Sequence, residues 1–98
     1  MAYIYILTNT HNTVLYIGST SDLVKRLYMH KRGLIKGFTQ RYNVTKLVHF
    51  EKFESIELAR QREIQLKKTL RARKIALINT NNPEWRELAC DAGATQTH

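Results

Sequence analysis

The sequence has almost none of the residues that cross-link small proteins. Cys90 is the single cysteine among 98 residues. One thiol excludes an internal disulfide and any zinc site built on cysteine pairs. The chain is long enough for one hydrophobic core and too short for a second. We therefore expect one domain that is stabilised by packing alone.

Long apolar runs are also missing from the chain. No stretch approaches the roughly twenty apolar residues that a membrane helix requires. The first residues lack the basic region and the long apolar segment of a secretory signal. We therefore expect a cytoplasmic protein that has no membrane partner.

Acidic residues are scarce relative to basic ones. The chain has 16 lysines and arginines against 8 aspartates and glutamates, and residues 1–83 hold 15 of the basic and 5 of the acidic groups, a net charge of +10. Such an excess predicts a polyanionic partner, because neutralising phosphates releases counterions. A basic surface that serves only solubility is the alternative at this point.

The apolar pattern predicts two strands, a helix, a third strand and two further helices. Ser19-Thr20-Ser21-Asp22 offers capping side chains for the first helix, Gly33 is placed to end it, and Ser55 can cap the next. The predicted strands lie at residues 2–8, 13–18 and about 45–53, and the predicted helices at 22–32, from Ser55 onward and from Arg71 to Asn79.

The remaining segments read as irregular structure. Residues 33–44 form a basic, aromatic connector, and Trp85 and Leu88 are expected to fold back onto the core. The domain then spans residues 1–89, followed by a flexible C-terminal tail over residues 90–98.

Two tyrosine triplets lie on the first two predicted strands. Alternation along a strand places Tyr3 with Tyr5 on one face, and Tyr16 with Gly18 on one face of the next strand. If the strands pair as a hairpin, Tyr5 and Tyr16 stand side by side. Tyrosines are ordinary strand residues, so plain packing is an alternative to chemistry here.

The first helix carries two polar residues beside its apolar stripe. Arg26 and His30 lie four residues apart and border that stripe. The expected stripe consists of Leu23, Val24, Leu27 and Tyr28.

Glu63 is the most informative residue of the following helix. It projects into the middle of the helix's apolar stripe, and burying an unpaired charge is costly. We therefore expect Glu63 to pair with a neighbouring arginine, to bind a metal ion or to lie at the edge of a cleft. The stripe is predicted to consist of Ile56, Ala59, Leu66 and Leu70.

With these residues in this order, the chain resembles the GIY-YIG nuclease superfamily, and most closely its small single-domain bacterial members. Tyr3-Ile4-Tyr5 replaces the first glycine of the family's leading triplet by tyrosine, and Tyr16-Ile17-Gly18 matches the second triplet in full. The likeness covers about residues 2–89. The other matching positions are Arg26, His30, Glu63 and Asn82. We expect the side chains of Arg26, His30 and Glu63 to point toward the same face of the sheet as those of the two tyrosines.

The resemblance implies an α/β (α+β) fold with a small three-stranded antiparallel sheet flanked by helices. It also implies metal-assisted hydrolysis of a phosphodiester by six catalytic residues. Tyr5 would act as general base, Arg26 would contact the scissile phosphate, and Glu63 would bind Mg²⁺ or Mn²⁺. Tyr16, His30 and Asn82 complete the set.

Three points of that assignment stay open on the sequence alone. A free phenol has a pKa near 10, so a nearby cation must lower the pKa of Tyr5, and His30 is the alternative base. Asn79 and Asn81 are alternatives to Asn82 as the site residue, and any of the three can equally cap a helix end.

The expected substrate contacts are Lys25, Arg26, Thr39, Tyr42 and Lys67.

The leading hypothesis is a structure-selective or weakly sequence-selective DNA endonuclease of repair or recombination. RNA is left open as a substrate, and a monomer is favoured over a dimer. One alternative is a basic nucleic-acid-binding accessory protein with little or no nuclease activity. Another is an interaction module that uses Trp85 and the connector.

Overall fold

A computed structural model describes residues 1–93 and contains three strands and four helices in that range. The predicted order of elements is confirmed, with one short helix added between the first long helix and the third strand. The elements are β1 (Ala2–Thr8), β2 (Leu15–Thr20), α1 (Leu23–Lys31), α2 (Phe38–Arg41), β3 (Lys46–Phe53), α3 (Ile56–Lys67) and α4 (Arg71–Asn81).

The three strands form one antiparallel sheet in the order β2-β1-β3. The first strand is therefore central, and β2 lies at an edge. The pairing of β1 with β3 shifts between Ile6 and Leu7, which is the signature of a β-bulge. The predicted fold class is confirmed.

Each face of the sheet carries its own hydrophobic cluster, as alternation along the strands requires. The first cluster lies under α3 and α4 and consists of Ala2, Ile4, Ile6, Ile17, Val48, Ala59, Leu66 and Ile78. The second lies under α1 and the C-terminal segment and consists of Tyr5, Leu7, Leu23, Leu27, Val44, Leu47 and Ala89.

The predicted helix caps are present. Asp22 accepts a hydrogen bond from the backbone N–H of Lys25, and Ser55 accepts one from that of Leu58. Gly33 follows the end of α1 with a φ of +68°, a conformation that glycine adopts without strain. These local signals fix the position of α1 beside the sheet.

The expected apolar stripes are only partly correct. Val24 and Tyr28 are 43% and 55% exposed, because α1 contacts the sheet through Leu23, Leu27 and His30. Leu70 was expected in the stripe of α3, yet it is 72% exposed. It lies beyond the end of α3, in extended backbone at the N-cap of α4.

Two predicted boundaries differ from the structure for local reasons. The second strand begins at Leu15 because the Asn9 side chain accepts hydrogen bonds from the backbone N–H groups of Thr13 and Val14, which holds those residues in the turn. Residues 33–44 contain α2, a single helical turn that is too short to show apolar periodicity.

The C-terminal segment returns to the sheet. The backbone N–H of Leu88 donates to the carbonyl of Leu47, and Trp85 and Leu88 pack against the two clusters. Ala92 also packs against the second cluster. The rest of the predicted tail, residues 94–98, lies outside the described residues. In the described part of the chain, no helix has the length and apolarity needed to cross a membrane.

Asn82 caps the end of α4 from inside the protein. Its side-chain amide donates to the carbonyls of Val48 and Arg86 at 3.2 and 2.9 Å, and its Oδ1 accepts from the backbone N–H of Arg86 at 3.2 Å. The residue is 3% exposed, and its bond to Val48 is buried while its two bonds with Arg86 are partly buried. Asn82 therefore joins α4, β3 and the C-terminal segment.

We expect Asn82→Ala to lower the free energy of unfolding by about 2 to 3 kcal/mol, because it leaves buried backbone groups without partners. Asn81→Ala is the matched control, since Asn81 is exposed and its side chain makes one long bond of 3.5 Å. Urea denaturation measures both. Equal losses for the two variants would contradict this structural role.

Candidate active site

The ring of Tyr5 lies across the backbone of Gly18. The two residues are directly paired in the antiparallel register of β1 and β2. A Cβ atom built on Gly18 would lie 2.5 Å from the Tyr5 hydroxyl oxygen and 2.6 Å from Cζ. Glycine is therefore required at this position by the close approach of the ring, whereas its backbone φ is ordinary.

The Tyr5 hydroxyl continues into a buried chain of polar groups. Its oxygen lies 3.1 Å from Nε2 of His30, and Nδ1 of His30 lies 3.0 Å from the Thr39 hydroxyl. All three residues are at most 3% exposed. The predicted position of His30 at the border of an apolar stripe is therefore wrong, because the imidazole is enclosed between Tyr5 and Thr39.

Both members of the Tyr5–His30 pair are neutral at pH 7. Burial raises the pKa of Tyr5, Tyr16 and Glu63 raise it further, and the Arg26 guanidinium opposes them. Burial also lowers the pKa of His30 to about 4, with a further contribution from Arg26. The Arg26 guanidinium acts in the expected direction, but desolvation is the larger effect, so Arg26 alone does not bring the pKa of Tyr5 below its ordinary value.

Tyr16 stands beside Tyr5 as expected, with ring centroids 6.3 Å apart. Its direct partner in the register is Leu7, so the two tyrosines are diagonal neighbours. The ring centroids of His30 and Tyr16 lie 5.7 Å apart in an edge-to-face arrangement, and Phe38 stacks on Tyr16 with centroids 6.3 Å apart and an interplanar angle of 23°. Through Phe38 and Thr39, α2 closes one side of the site.

Arg26 is half-buried beside this network. It makes no side-chain hydrogen bond or ion pair with another residue in the range 1–93. It lines a cleft of about 430 Å³ with Lys25 and the cap residues Thr20, Ser21 and Asp22. The guanidinium is thus available to an anion.

Glu63 approaches β2 from α3. One carboxylate oxygen accepts a hydrogen bond from the Ser19 hydroxyl, and the other pairs with Nζ of Lys67 at 2.6 Å. Its side chain is 19% exposed. Burial raises the pKa of this carboxyl, but the bonds from Lys67 and Ser19 outweigh burial and leave the pKa below its usual value. Glu63 is therefore ionised.

The expected ion pair of Glu63 with an arginine is absent from the described residues. Arg62, the adjacent residue, pairs instead with Glu51 at 2.9 Å. Hydrogen bonds from His49 and Arg62 lower the pKa of Glu51 to about 2. That pair fixes α3 to β3 and leaves Glu63 to face β2.

Glu63 and the tyrosines do not share one face of the sheet. Alternation places Ser19 with Ile17 on the face that α3 covers, whereas Tyr5 and its cluster lie on the opposite face. The two halves meet at β2 because it is the edge strand, and Gly18 and Ser19 are consecutive in it. The expectation of a common face is therefore wrong.

The donor set around Glu63 fits a hard divalent cation that keeps most of its waters. Mg²⁺ commonly takes one or two protein carboxylates and retains water for its other positions. No group of three or more histidine, cysteine or acidic side chains within residues 1–93 is placed to enclose an ion. Glu63 with the Ser19 hydroxyl would hold such a cation from one side, provided that Lys67 gives up its contact.

The other predicted site residues fall into two groups. Thr39 lies behind His30, away from the surface, and Asn82 serves the core, because both side chains are buried and bonded within the protein. Lys25 and Tyr42 are exposed and accessible to a ligand.

The sequence did not indicate that Ser19 and Phe38 contact the site, or why position 18 is glycine. Ser19 directly follows the second triplet and read only as a helix cap. Phe38 sits in a segment without periodicity, so nothing in the pattern tied it to Tyr16. The glycine of the triplet was visible, and the direct register with Tyr5 explains it.

A small antiparallel sheet thus carries paired tyrosines, a helical arginine and histidine, and a glutamate at the edge strand. The model of the GIY-YIG catalytic domain matches residues 1–76. The chain therefore belongs to the GIY-YIG family, within a superfamily of nucleases, and the resemblance inferred from its motifs is confirmed.

The chain is also similar to several proteins named UPF0213. A UPF0213 protein of Clostridium perfringens is 38% identical over 82 residues, covering 84% of this chain and 87% of its own length. One from Syntrophus aciditrophicus is 41% identical over 83 residues, covering 84% and 93%. One from Natronomonas pharaonis is 36% identical over 76 residues, covering 78% and 88%.

A solved structure supports the fold directly. The solution NMR structure of a UPF0213 protein from Bacillus halodurans superposes with a TM-score of 0.56 at 27% sequence identity. The match covers 97% of this chain and 100% of the other.

We expect Gly18→Ala to cost about 1 to 3 kcal/mol of folding free energy, because the added methyl group overlaps the Tyr5 ring. In a Tyr5→Ala background the same substitution should cost little, since the obstructing ring is gone. A double-mutant cycle by urea denaturation measures the coupling. The same cost in both backgrounds would show that Tyr5 is not the obstacle.

The lowered pKa of His30 predicts a defined pH dependence of stability. Its folded pKa of about 4 lies below the ordinary value of 6.5, so the unfolded chain takes up this proton first. Stability should therefore fall by about 2 kcal/mol as the pH drops from 6.5 toward 4. Glu51 loses its contribution at lower pH, between its ordinary pKa of 4.5 and its folded pKa of about 2.

Urea unfolding of the wild type and of His30→Gln across pH 4.5 to 7.5 separates this contribution from the rest. The variant should show a shallower slope over that range. An identical slope in both proteins would rule out His30 as the group responsible.

Proposed function

We propose that this protein is a metal-dependent endonuclease that hydrolyses DNA phosphodiester bonds. The observation that carries the proposal is the arrangement at β2. A neutral Tyr5–His30 pair and a free guanidinium lie on one side of the edge strand, and an ionised Glu63 lies on the other. Base, phosphate ligand and cation ligand thus come from three different elements, β1, α1 and α3, that surround one short strand.

The neutral pair supplies the proton acceptor. The mechanism uses the tautomer of His30 that carries its proton on Nδ1, where Nδ1–H donates to the Thr39 hydroxyl and Nε2 accepts from the Tyr5 hydroxyl. An oxygen lone pair of Tyr5 can then accept a proton from an attacking water as its own proton passes to Nε2 of His30.

The charged residues would bind the phosphate and the cation. Arg26 presents a fork of donors that matches phosphate oxygens and can also bind the extra charge of the transition state. Glu63 would hold the divalent cation, Mg²⁺ or Mn²⁺. When bound, such an ion polarises a phosphoryl oxygen and stabilises the leaving oxygen. Lys67 is then released from Glu63 to contact the substrate backbone.

The competing function is a basic accessory protein that binds nucleic acid without cutting it. Binding of the backbone gains nothing from a half-buried carboxylate, because like charges repel. Glu63 is nevertheless held by Ser19 and Lys67 at the edge of the site. A docking module built on Trp85 is disfavoured, since its Nε1–H donates to Asn79 and its ring packs on the core.

The proposed selectivity is for DNA structure and not for a base sequence. Base readout usually needs an element that enters a groove, or a dimer with spaced half-sites. In the described part of the chain each long helix packs on the sheet. A role in DNA repair or recombination, as a monomer in the cytoplasm, is consistent with such selectivity.

We expect Glu63→Gln to lower the rate of nicking of supercoiled or branched DNA by at least about a hundredfold, because the cation loses its ligand. Tyr5→Phe should cause a comparable loss by removing the hydroxyl. Both variants should still bind DNA. Nicking assays with Mg²⁺ or Mn²⁺, run beside a binding assay, measure these effects.

Glu57→Gln is the matched control, since Glu57 is exposed in the first turn of the same helix and should be dispensable for cutting. If the wild type and Glu63→Gln bind DNA equally and neither cuts it, the accessory-protein function is correct instead.

A further inference from the structure

A second cleft lies beside the proposed hydrolytic site, at the exposed edge of β2. Its volume is about 250 Å³, and it borders the active site because Tyr16 belongs to both. Apolar side chains form most of its lining, and two lysines complete it. The lining residues are Leu15, Tyr16, Ile17, Phe38, Lys67 and Lys74.

Two residues of the cleft wall, Tyr16 and Phe38, belong to a row of three adjacent aromatic rings. Phe38 stacks on Tyr16, and Tyr42 follows Phe38 with centroids 5.0 Å apart. Phe38 and Tyr42 are 46% and 47% exposed. Two neighbouring exposed aromatic rings next to an active site form a surface on which a flat ligand can stack.

The charge of the cleft is positive. Lys67 and Lys74 are the charged groups of its lining, and no acidic side chain of residues 1–93 lines it. Lys67 also contacts the Glu63 carboxylate, so the cleft and the predicted cation ligand are separated by one side chain. A ligand that places a flat apolar ring on Phe38 and negative groups near both lysines complements this surface.

We propose that this cleft binds an unpaired nucleotide of the substrate. Its base stacks on Phe38, and the flanking phosphates lie near Lys67 and Lys74. A base inside a duplex has both faces covered by its neighbours, so only an unstacked base can offer a face to Phe38. The inference rests on the proposed nuclease function and specifies its substrate class as DNA with a single-stranded segment at the cut.

The test compares the affinity of the full chain for a fluorescein-labelled 12-nucleotide single strand and for a duplex of the same length. Fluorescence anisotropy is measured with a chelator present, so that nothing is cut. Phe38→Ala should weaken single-strand binding about tenfold, as loss of one stacked base does, and should leave duplex binding nearly unchanged. Phe38→Trp should retain or strengthen it, whereas Phe38→Leu should behave like Phe38→Ala.

Two matched controls isolate the cleft. Tyr28→Ala removes an exposed aromatic ring of α1 that does not line it, and should leave both affinities unchanged. Lys74→Ala should reduce the slope of log K against log salt for the single strand by about 0.7, the value for one lost phosphate contact. Lys68→Ala, outside the lining, should change that slope less.

The outcomes separate this inference from the proposed function. If Phe38→Ala leaves single-strand binding intact, or weakens duplex binding equally, the cleft does not select unpaired bases, even where nicking depends on Glu63. If single-strand binding depends selectively on Phe38 in a protein that cuts no DNA with Mg²⁺ or Mn²⁺, the binding site stands and the nuclease function fails.

Discussion

The contact between the Tyr5 ring and the backbone of Gly18 is the constraint on which the site depends. It requires the direct pairing of these residues across β1 and β2, and it leaves no room for a side chain at Gly18. Because the ring is held flat against β2, its hydroxyl reaches His30. His30 in turn reaches Thr39, which holds α2 against the sheet. The contact between Tyr5 and Gly18 thus helps to position β1, β2, α1 and α2 relative to one another.

The position of β2 at the edge of the sheet lets the two halves of the site meet. In an internal strand, groups on opposite faces would be separated by neighbouring backbone on both sides. At an edge, a ligand can reach around the strand and contact Glu63 from one face and the tyrosine network from the other. The field of Glu63 already acts on Tyr5, since it contributes to the raised pKa of that phenol.

In the proposed function, the Lys67–Glu63 pair would link hydrolysis to substrate binding. An ammonium group on a carboxylate that would hold a divalent cation neutralises Glu63 while the site is empty. The pair is exposed on the lysine side, so its stability contribution is small and the lysine can leave readily. Release of Lys67 toward a phosphate would expose the carboxylate when substrate and cation arrive together.

Much of the fold could be predicted because its signals are local. Asp22 and Ser55 cap their helices through bonds three residues ahead, and the faces of Tyr5 and Tyr16 follow from strand alternation. The order of the motifs also predicted the family, which is confirmed, whereas the catalytic roles of the named residues stay predictions.

The rest depends on contacts between distant segments. Burial of His30 comes from Thr39, which lies in a segment without periodicity, and so neither its position nor its lowered pKa could be predicted from α1 alone. The face of Glu63 depends on how α3 crosses the sheet, and the role of Asn82 on the return of the C-terminal segment to β3. Leu70 fits the period of α3, but the helix ends before it.

The central claim is that groups from both faces of the sheet form one site around β2, with Glu63 as the cation ligand. Paramagnetic broadening by Mn²⁺ in NMR spectra tests it without a substrate. Mn²⁺ is expected to broaden the signals of Ser19, Glu63 and the Tyr5 ring together. This broadening should be lost in Glu63→Gln and retained in Glu57→Gln. Broadening centred elsewhere, or unchanged in Glu63→Gln, would contradict it.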